Sequence, residues 1–199
     1  MRVCVLGSGS RGNSALIASE ETRILIDAGL SARTISHRLH QIGVDPATLS
    51  GIVLTHEHAD HESGTRILAQ RYSLPIYMNR GTMEGLEAGR LKSWKAPTFP
   101  TSEPPSLQAF QPPRFLIFES NRPFKIGDLS LEGFSISHDA NDPVAFAISS
   151  NSFKVGLAWD LGLVTHLVVE KLKDCHFLIL EFNHDLGMLL DGPYPWEVK

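Results

Sequence analysis

The stretch Gly51-Ile52-Val53-Leu54-Thr55-His56-Glu57-His58-Ala59-Asp60-His61 decides how this chain is read. An apolar run of strand type, GIVLT, ends in four ligand-type side chains within six positions: His56, His58, Asp60 and His61. In extended backbone, residues two apart point to the same side, so His56 and His58 are expected to face one point. Asp60 and His61 follow where the chain turns into a helix. Neutral imidazoles suit zinc-like ions, and a carboxylate adds charge for a harder one. One such loop can serve two neighbouring cations, His56 and His58 on one, Asp60 and His61 on the other. The plainer alternative makes Asp60 a helix N-cap and the histidines surface residues. It is disfavoured because three of the nine histidines fall in these six positions, directly after an apolar strand.

Two cations need more ligands, and two later strand ends offer them. In LEGFSISHD (131–139), alternation puts Phe134, Ile136 and His138 on one face, with His138 at the strand end. In FKVGLAWD (153–160) the apolar run ends at Asp160, a carboxylate able to bridge two ions. Alone, His138 would read as a satisfied structural histidine and Asp160 as a turn or cap residue. Beside the first cluster, both are candidate ligands. Asp27 ends RILID (23–27) in the same way but has no histidine beside it in sequence. It is assigned a place behind the ligands, orienting one of them; the alternative is a turn residue before Ala28-Gly29. The glycine-rich turn GSGSRGNS (7–14) offers backbone N–H groups with Ser8, Ser10 and Asn13 to a phosphate. It carries no P-loop lysine, and a tight strand connection is an equal reading.

The rest of the chain frames this site. A length of 199 residues suits one domain, and 42% apolar with 20% charged residues suits a packed core. A net charge of −4 is unlike that of a strongly basic nucleic-acid binder. Cys4 and Cys175 sit in apolar runs and read as buried free thiols, too few for a disulfide framework. With no signal-peptide layout and no run of membrane-spanning length, the expected location is cytoplasmic, with no membrane partner. Strands are expected at 1–7, 15–19, 23–27, 51–55, 74–78, 129–137, 144–149, 153–158 and 176–181, the last one buried. Helices are expected from an N-cap at Ser31 to about Ile42, at 62–72, at 81–89 and at 165–173. Between Ala96 and Pro123 lie 7 of the 12 prolines, so 96–122 is expected to be a surface loop or insertion. GPYP (192–195) is a break before what reads as the first turn of a helix. Alternating strands and helices suggest a layered α/β (α+β) sandwich.

The order Asp27, HxHxDH at 56–61, His138 and Asp160 resembles the metallo-β-lactamase superfamily. GSGSRGNS at 7–14, SHDANDP at 137–143, the LGL after Asp160, NHD at 183–185 and GPYP at 192–195 resemble its YycJ/WalJ-like bacterial exonuclease branch. The resemblance covers nearly the whole chain except 96–122. It implies a single four-layer αββα domain over 1–199, shortened at its C-terminus. It also implies two divalent ions, Zn or Mn, with His56, His58 and His138 on one. Asp60 and His61 then hold the other, Asp160 bridges, and Asp27 stands behind the first motif. The implied reaction is cleavage of DNA phosphodiester bonds, 5′ to 3′, by a metal-bound hydroxide. Asp60 or Asp160 would handle its proton, and His184 would assist the leaving group; alternatively, His184 is a helix N-terminal residue beside a capping Asp185. The same centre would serve a thioesterase or lactonase, and an inactive metal-binding module is a further alternative. Two departures stand out. The family usually has a small residue, often Thr, where this chain has Trp159 before Asp160. It also has a further histidine beyond GPYPW, so the resemblance implies a weakened second ion in a chain that stops at Lys199.

Overall fold

The inner strands in the first half of the chain are buried on both faces, and this dictates a layered architecture. In β2 (Ser14–Ala18), Leu16 points to one apolar cluster while Ala15 and Ile17 point to another. In β3 (Arg23–Ile26), Leu25 goes one way and Ile24 and Ile26 the other. Such strands need cover on both sides, as in parallel sheets packed between layers. The computed structural model describes residues 1–89, 113–181 and 187.

The first sheet orders β1 (Arg2–Gly7), β2, β3, β4 (Gly51–Val53), β5 (Ile76–Met78) and β6 (Phe115–Ile117). It is antiparallel through β1–β2–β3 and parallel from β3 to β6. Its outer face carries α1 (Ala32–Gln41) and α3 (Thr65–Tyr72), through Ile35, Leu39, Leu68 and Ala69. Ser31 caps α1, accepting from the Thr34 N–H. The second sheet orders β11 (Phe177–Leu180), β10 (Phe153–Ala158), β9 (Val144–Ser150), β8 (Leu129–Ser135) and β7 (Pro123–Ile126). Its inner face meets the first sheet through Leu129, Leu131, Phe146, Ile148, Val155 and Leu157. Its outer face holds Phe134 and Ala145 against Val168 of α5 (His166–Leu172). The result is helix, sheet, sheet, helix, the four-layer sandwich expected. At Gly133 an added Cβ would come within 3.1 Å of the Phe118 and Phe146 rings, so only glycine leaves those rings their place.

Several expectations are corrected. The helix read over 62–72 is broken: α2 (Ala59–Glu62) and α3 are separated by Ser63-Gly64. The Gly64 N–H turns to the Ala28 carbonyl at 2.7 Å instead of to the preceding turn, and an added Cβ there would lie 2.2 Å from the Leu30 carbonyl oxygen. The proline-rich stretch gives way to β6, which pairs with β5, so its end belongs to the sheet rather than to a loop. β11 is not buried, since Phe177 and Leu178 are exposed; its one strand partner among the described residues is β10. Cys4 and Cys175 are free but only partly buried. The remaining helix of the first half, α4 (Arg80–Gly89), lies as read. Residues 182–186 and 188–199 lie outside the described residues, and with them His184, Asp185 and the GPYP break.

Candidate metal centre

The centre forms where strands of both sheets end. β4 stops at Val53, three residues before His56, so the convergence of His56 and His58 is made by the loop and not by strand alternation. β8 likewise stops at Ser135; Ile136 packs toward the α5 layer, while His138 sits in the following loop. That loop is tied to its surroundings by the Ile136 N–H on the Pro143 carbonyl and the Gly162 N–H on the Ser137 carbonyl. Asp27 and Asp160 each follow a strand in left-handed backbone, φ 58° and 53°, which aspartate tolerates better than most residues. The 56–64 segment is pinned by three backbone bonds of 2.7 Å, one from the β1–β2 turn (Asn13 N–H to Asp60 O) and two with the turn after β3 (Ala28 N–H to His61 O, and Gly64 N–H to Ala28 O). Here Gly29 is required, because an added Cβ would lie 1.5 Å from the Asp60 carbonyl oxygen.

Hydrogen bonds assign the imidazole lone pairs. Thr55 Oγ1 lies 2.7 Å from Asp27 Oδ2 and 2.9 Å from His56 Nδ1. A carboxylate only accepts, so the hydroxyl donates to Asp27 and accepts from His56 Nδ1–H. His56 Nε2 is then a lone pair, buried and with no hydrogen-bond partner among the described residues. His58 Nε2–H donates to the Asp139 carbonyl at 3.1 Å, which leaves Nδ1 facing His138 Nε2 at 3.2 Å. His138 Nδ1 is 3.2 Å from Asp139 Oδ1, so its Nε2 is also a lone pair. Donor atoms of His56, His58 and His138 all lie within 4.8 Å of one another. Three converging acceptors with no proton between them are the donor set a cation satisfies.

A second group shares His56 and adds His61 and Asp160, again within 4.8 Å. His61 Nε2 is 2.7 Å from Asp160 Oδ2, and His56 Nε2 is 3.8 Å from the same oxygen. On the other side, His61 Nδ1–H donates to Asp27 Oδ2 at 2.8 Å. Burial acts against charge on His61, but the Asp27 carboxylate and then Asp160 overcome it and lift its pKa to about 10. Burial likewise acts to raise the Asp160 pKa, and contact with His61 brings it down to about 2. Burial, reinforced by the charge on His61, drops His56 to about 2. Burial also lowers His138, against the pull of Asp160 and Asp139.

Asp60 is no helix cap: it lies inside α2, whose N-cap is His58. Its Oδ2 stands at the rim, 3.7 Å from His61 Nε2. The glycine-rich turn divides. Asn13 is buried and directs its amide at His61 Nε2, 2.9 Å away, and at Asp60 Oδ2, 3.5 Å away. Ser8 is exposed and lines a neighbouring cavity of about 500 Å³, together with Asn13, Trp159 and Glu181. Ser10 is exposed. Residues not singled out for the centre also belong to it: Thr55 behind His56, Asp139 behind His58 and His138, and Glu181, whose Oε2 accepts from the Asp160 N–H at 2.9 Å. A hydroxyl directly before His56 and a carboxylate directly after His138 were the available signals. Glu181 had none, being remote in sequence.

Comparison with known proteins gives the family. Residues 7–147 match the metallo-beta-lactamase superfamily. The chain is 35% identical over 195 residues to the exodeoxyribonuclease YycJ of Bacillus anthracis, covering 98% of this chain and 67% of that protein. It is 30% identical over 195 residues to the exodeoxyribonuclease WalJ of Streptococcus pneumoniae serotype 2 (strain D39), with the same coverage of both. Among solved structures, Rm3 metallo-beta-lactamase superposes with a TM-score of 0.65 at 19% identity, over 89% of this chain and 74% of that one, which speaks for the fold alone. No helix among the described residues is long and apolar enough to cross a membrane. The chain therefore belongs to the metallo-beta-lactamase superfamily and is a metal-dependent hydrolase.

Proposed function

We propose that this hydrolase cleaves phosphodiester bonds of DNA, as an exonuclease working 5′ to 3′. The observation that carries the proposal is the 35% identity to an exodeoxyribonuclease over 98% of this chain. His56, His58 and His138 would hold one divalent ion, Zn or Mn. His61, Asp160 and Asp60 would hold a second, with Asp160 between the two. Bound together, such ions supply Lewis acidity toward phosphate oxygens and lower the pKa of water.

The chain's own groups do the rest. Asp27 orients the His61 ring and Thr55 fixes the tautomer of His56, so that Nε2 of each faces Asp160. Asp160, close to His61 and His56, and Asp60, at the open rim, are the carboxylates placed to orient or deprotonate an incoming water. The Asn13 amide, directed at His61 and Asp60, stands where it would meet a phosphate oxygen, with Ser8 and Ser10 outside it. His184 remains the proposed partner of the leaving oxygen, a role worth about 10²–10⁴-fold for a general acid. We read 1–199 as one domain, located in the cytoplasm.

The test is incubation of the metal-loaded protein with 5′-phosphorylated DNA labelled at its 3′ end, beside RNA and a thioester. Nucleotides released progressively from the 5′ end of DNA are the expected result. Thioester turnover without DNA loss would replace the nuclease by a thioesterase or lactonase. Turnover of none of them would leave a metal-binding module.

A further inference from the structure

We propose that Trp159 is a positioning residue of the metal centre, its indole N–H locking the Asp27 carboxylate that in turn holds His61. This rests on reading the cluster as a metal site. Asp27 is fully buried and carries four donors. The Thr55 N–H reaches Oδ1 at 2.8 Å. Thr55 Oγ1 at 2.7 Å, His61 Nδ1 at 2.8 Å and Trp159 Nε1 at 2.8 Å all reach Oδ2. Indole nitrogen only donates, so the direction of that bond is settled by its chemistry. The Trp159 ring also stands edge-on to His61, with centroids 6.1 Å apart.

Trp159 and Asp160 are consecutive. The end of β10 thus reaches His61 twice, through Asp160 at Nε2 and through Trp159 and Asp27 at Nδ1. Trp159 is only 4% exposed, yet its ring forms part of the wall of the cavity that Ser8 and Glu181 also line. Removing the indole N–H takes one of three donors from Oδ2 and leaves water from that cavity to replace it. His61 then loses orientation, although none of the ligands has changed. Partners that orient a ligand are typically worth 10–100-fold in metal affinity.

The experiment titrates Zn²⁺ into the metal-free protein and into Trp159→Phe by calorimetry with chelator competition. Expected is a 10–100-fold weaker ion at the His61–Asp160 side, with the His56–His58–His138 side changed less than about threefold. A second measurement needs no variant that might misfold: the indole ¹H–¹⁵N resonance of Trp159 in the metal-free wild type. It is expected downfield and slow to exchange, moving upfield in Asp27→Asn. Wild type that takes up Zn²⁺ with Trp159→Phe unchanged, or an indole proton that shifts and exchanges like free tryptophan, overturns the role of Trp159 alone. Wild type that takes up no Zn²⁺ overturns the metal-site reading, and this proposal with it.

Discussion

The two halves of the centre share His56 but are built on opposite principles. The His56–His58–His138 side is a set of neutral imidazoles, oriented by a threonine hydroxyl and by Asp139. The His61–Asp160 side is charged, with one imidazole held between the carboxylates of Asp27 and Asp160. On the neutral side, lone pairs are already exposed to one another and a cation enters without displacing anything. On the charged side, the His61 proton does electrostatically what a cation would do, and it must leave before a metal binds. Cations taken up at the two sides are thus expected to differ in affinity and in pH dependence.

The variant with the largest expected effect joins the two halves. In Asp160→Asn the anion that faces both His61 and His56 is lost, so bound metal falls at both sides and hydrolysis drops by about 10³-fold or more. Elemental analysis beside a rate assay checks this, and metal retained at the wild-type level would break the comparison. His138→Ala touches the neutral side alone. It is expected to remove one ion while the other stays, with a loss of affinity above the roughly 10–100-fold of an orienting partner. Loss of both ions would mean that the two halves are one site.

The pH dependence separates the halves without mutation. His61, with a pKa of about 10, is protonated at neutral pH, so a cation entering beside it releases a proton and its affinity rises about tenfold per pH unit. His56 and His138, with pKa values pushed down, release none at pH 7. Calorimetry in buffers of different ionisation enthalpy reads the number released. In the metal-free chain the same shifts act on stability. The raised pKa of His61 stabilises fully below about 6.5, a contribution lost as pH climbs through about 10. The lowered pKa of His56 stabilises above about 6.5 and is lost as pH falls toward about 2. The smallest effect expected is that of Thr55→Val, which removes one donor from Asp27 and the acceptor of His56. About tenfold in metal affinity is predicted, read in the same titration.

Much of this was legible in the chain itself. His56, His58, Asp60 and His61 carry their meaning in spacing, and an apolar strand before them supplies the context. The four layers follow from strands that are apolar at every position, such as ILI at 24–26, next to helices with one apolar stripe. Less legible was how these side chains reach each other. Strand alternation was the expected device for His56, His58 and His138, yet each lies beyond its strand. Loop conformation there is held by backbone bonds to distant segments, as between Asn13 and Asp60, and such bonds leave no periodic trace in sequence. The strand β6 hid inside a proline-rich stretch because its stability comes from pairing with β5 rather than from its own composition.

The sequence by itself determined the chemical types in the centre and the fold that assembles them. Ligand-type residues at strand ends are a local pattern, and apolar periodicity is a local signal. Only the tertiary structure decided which nitrogen of His56, His58 and His138 is free, that Asp27 serves His61 rather than another histidine, and that Trp159 joins them. These are matters of hydrogen-bond geometry among residues up to 132 positions apart in the chain, and a lone pair acquires its direction only when its partners are in place.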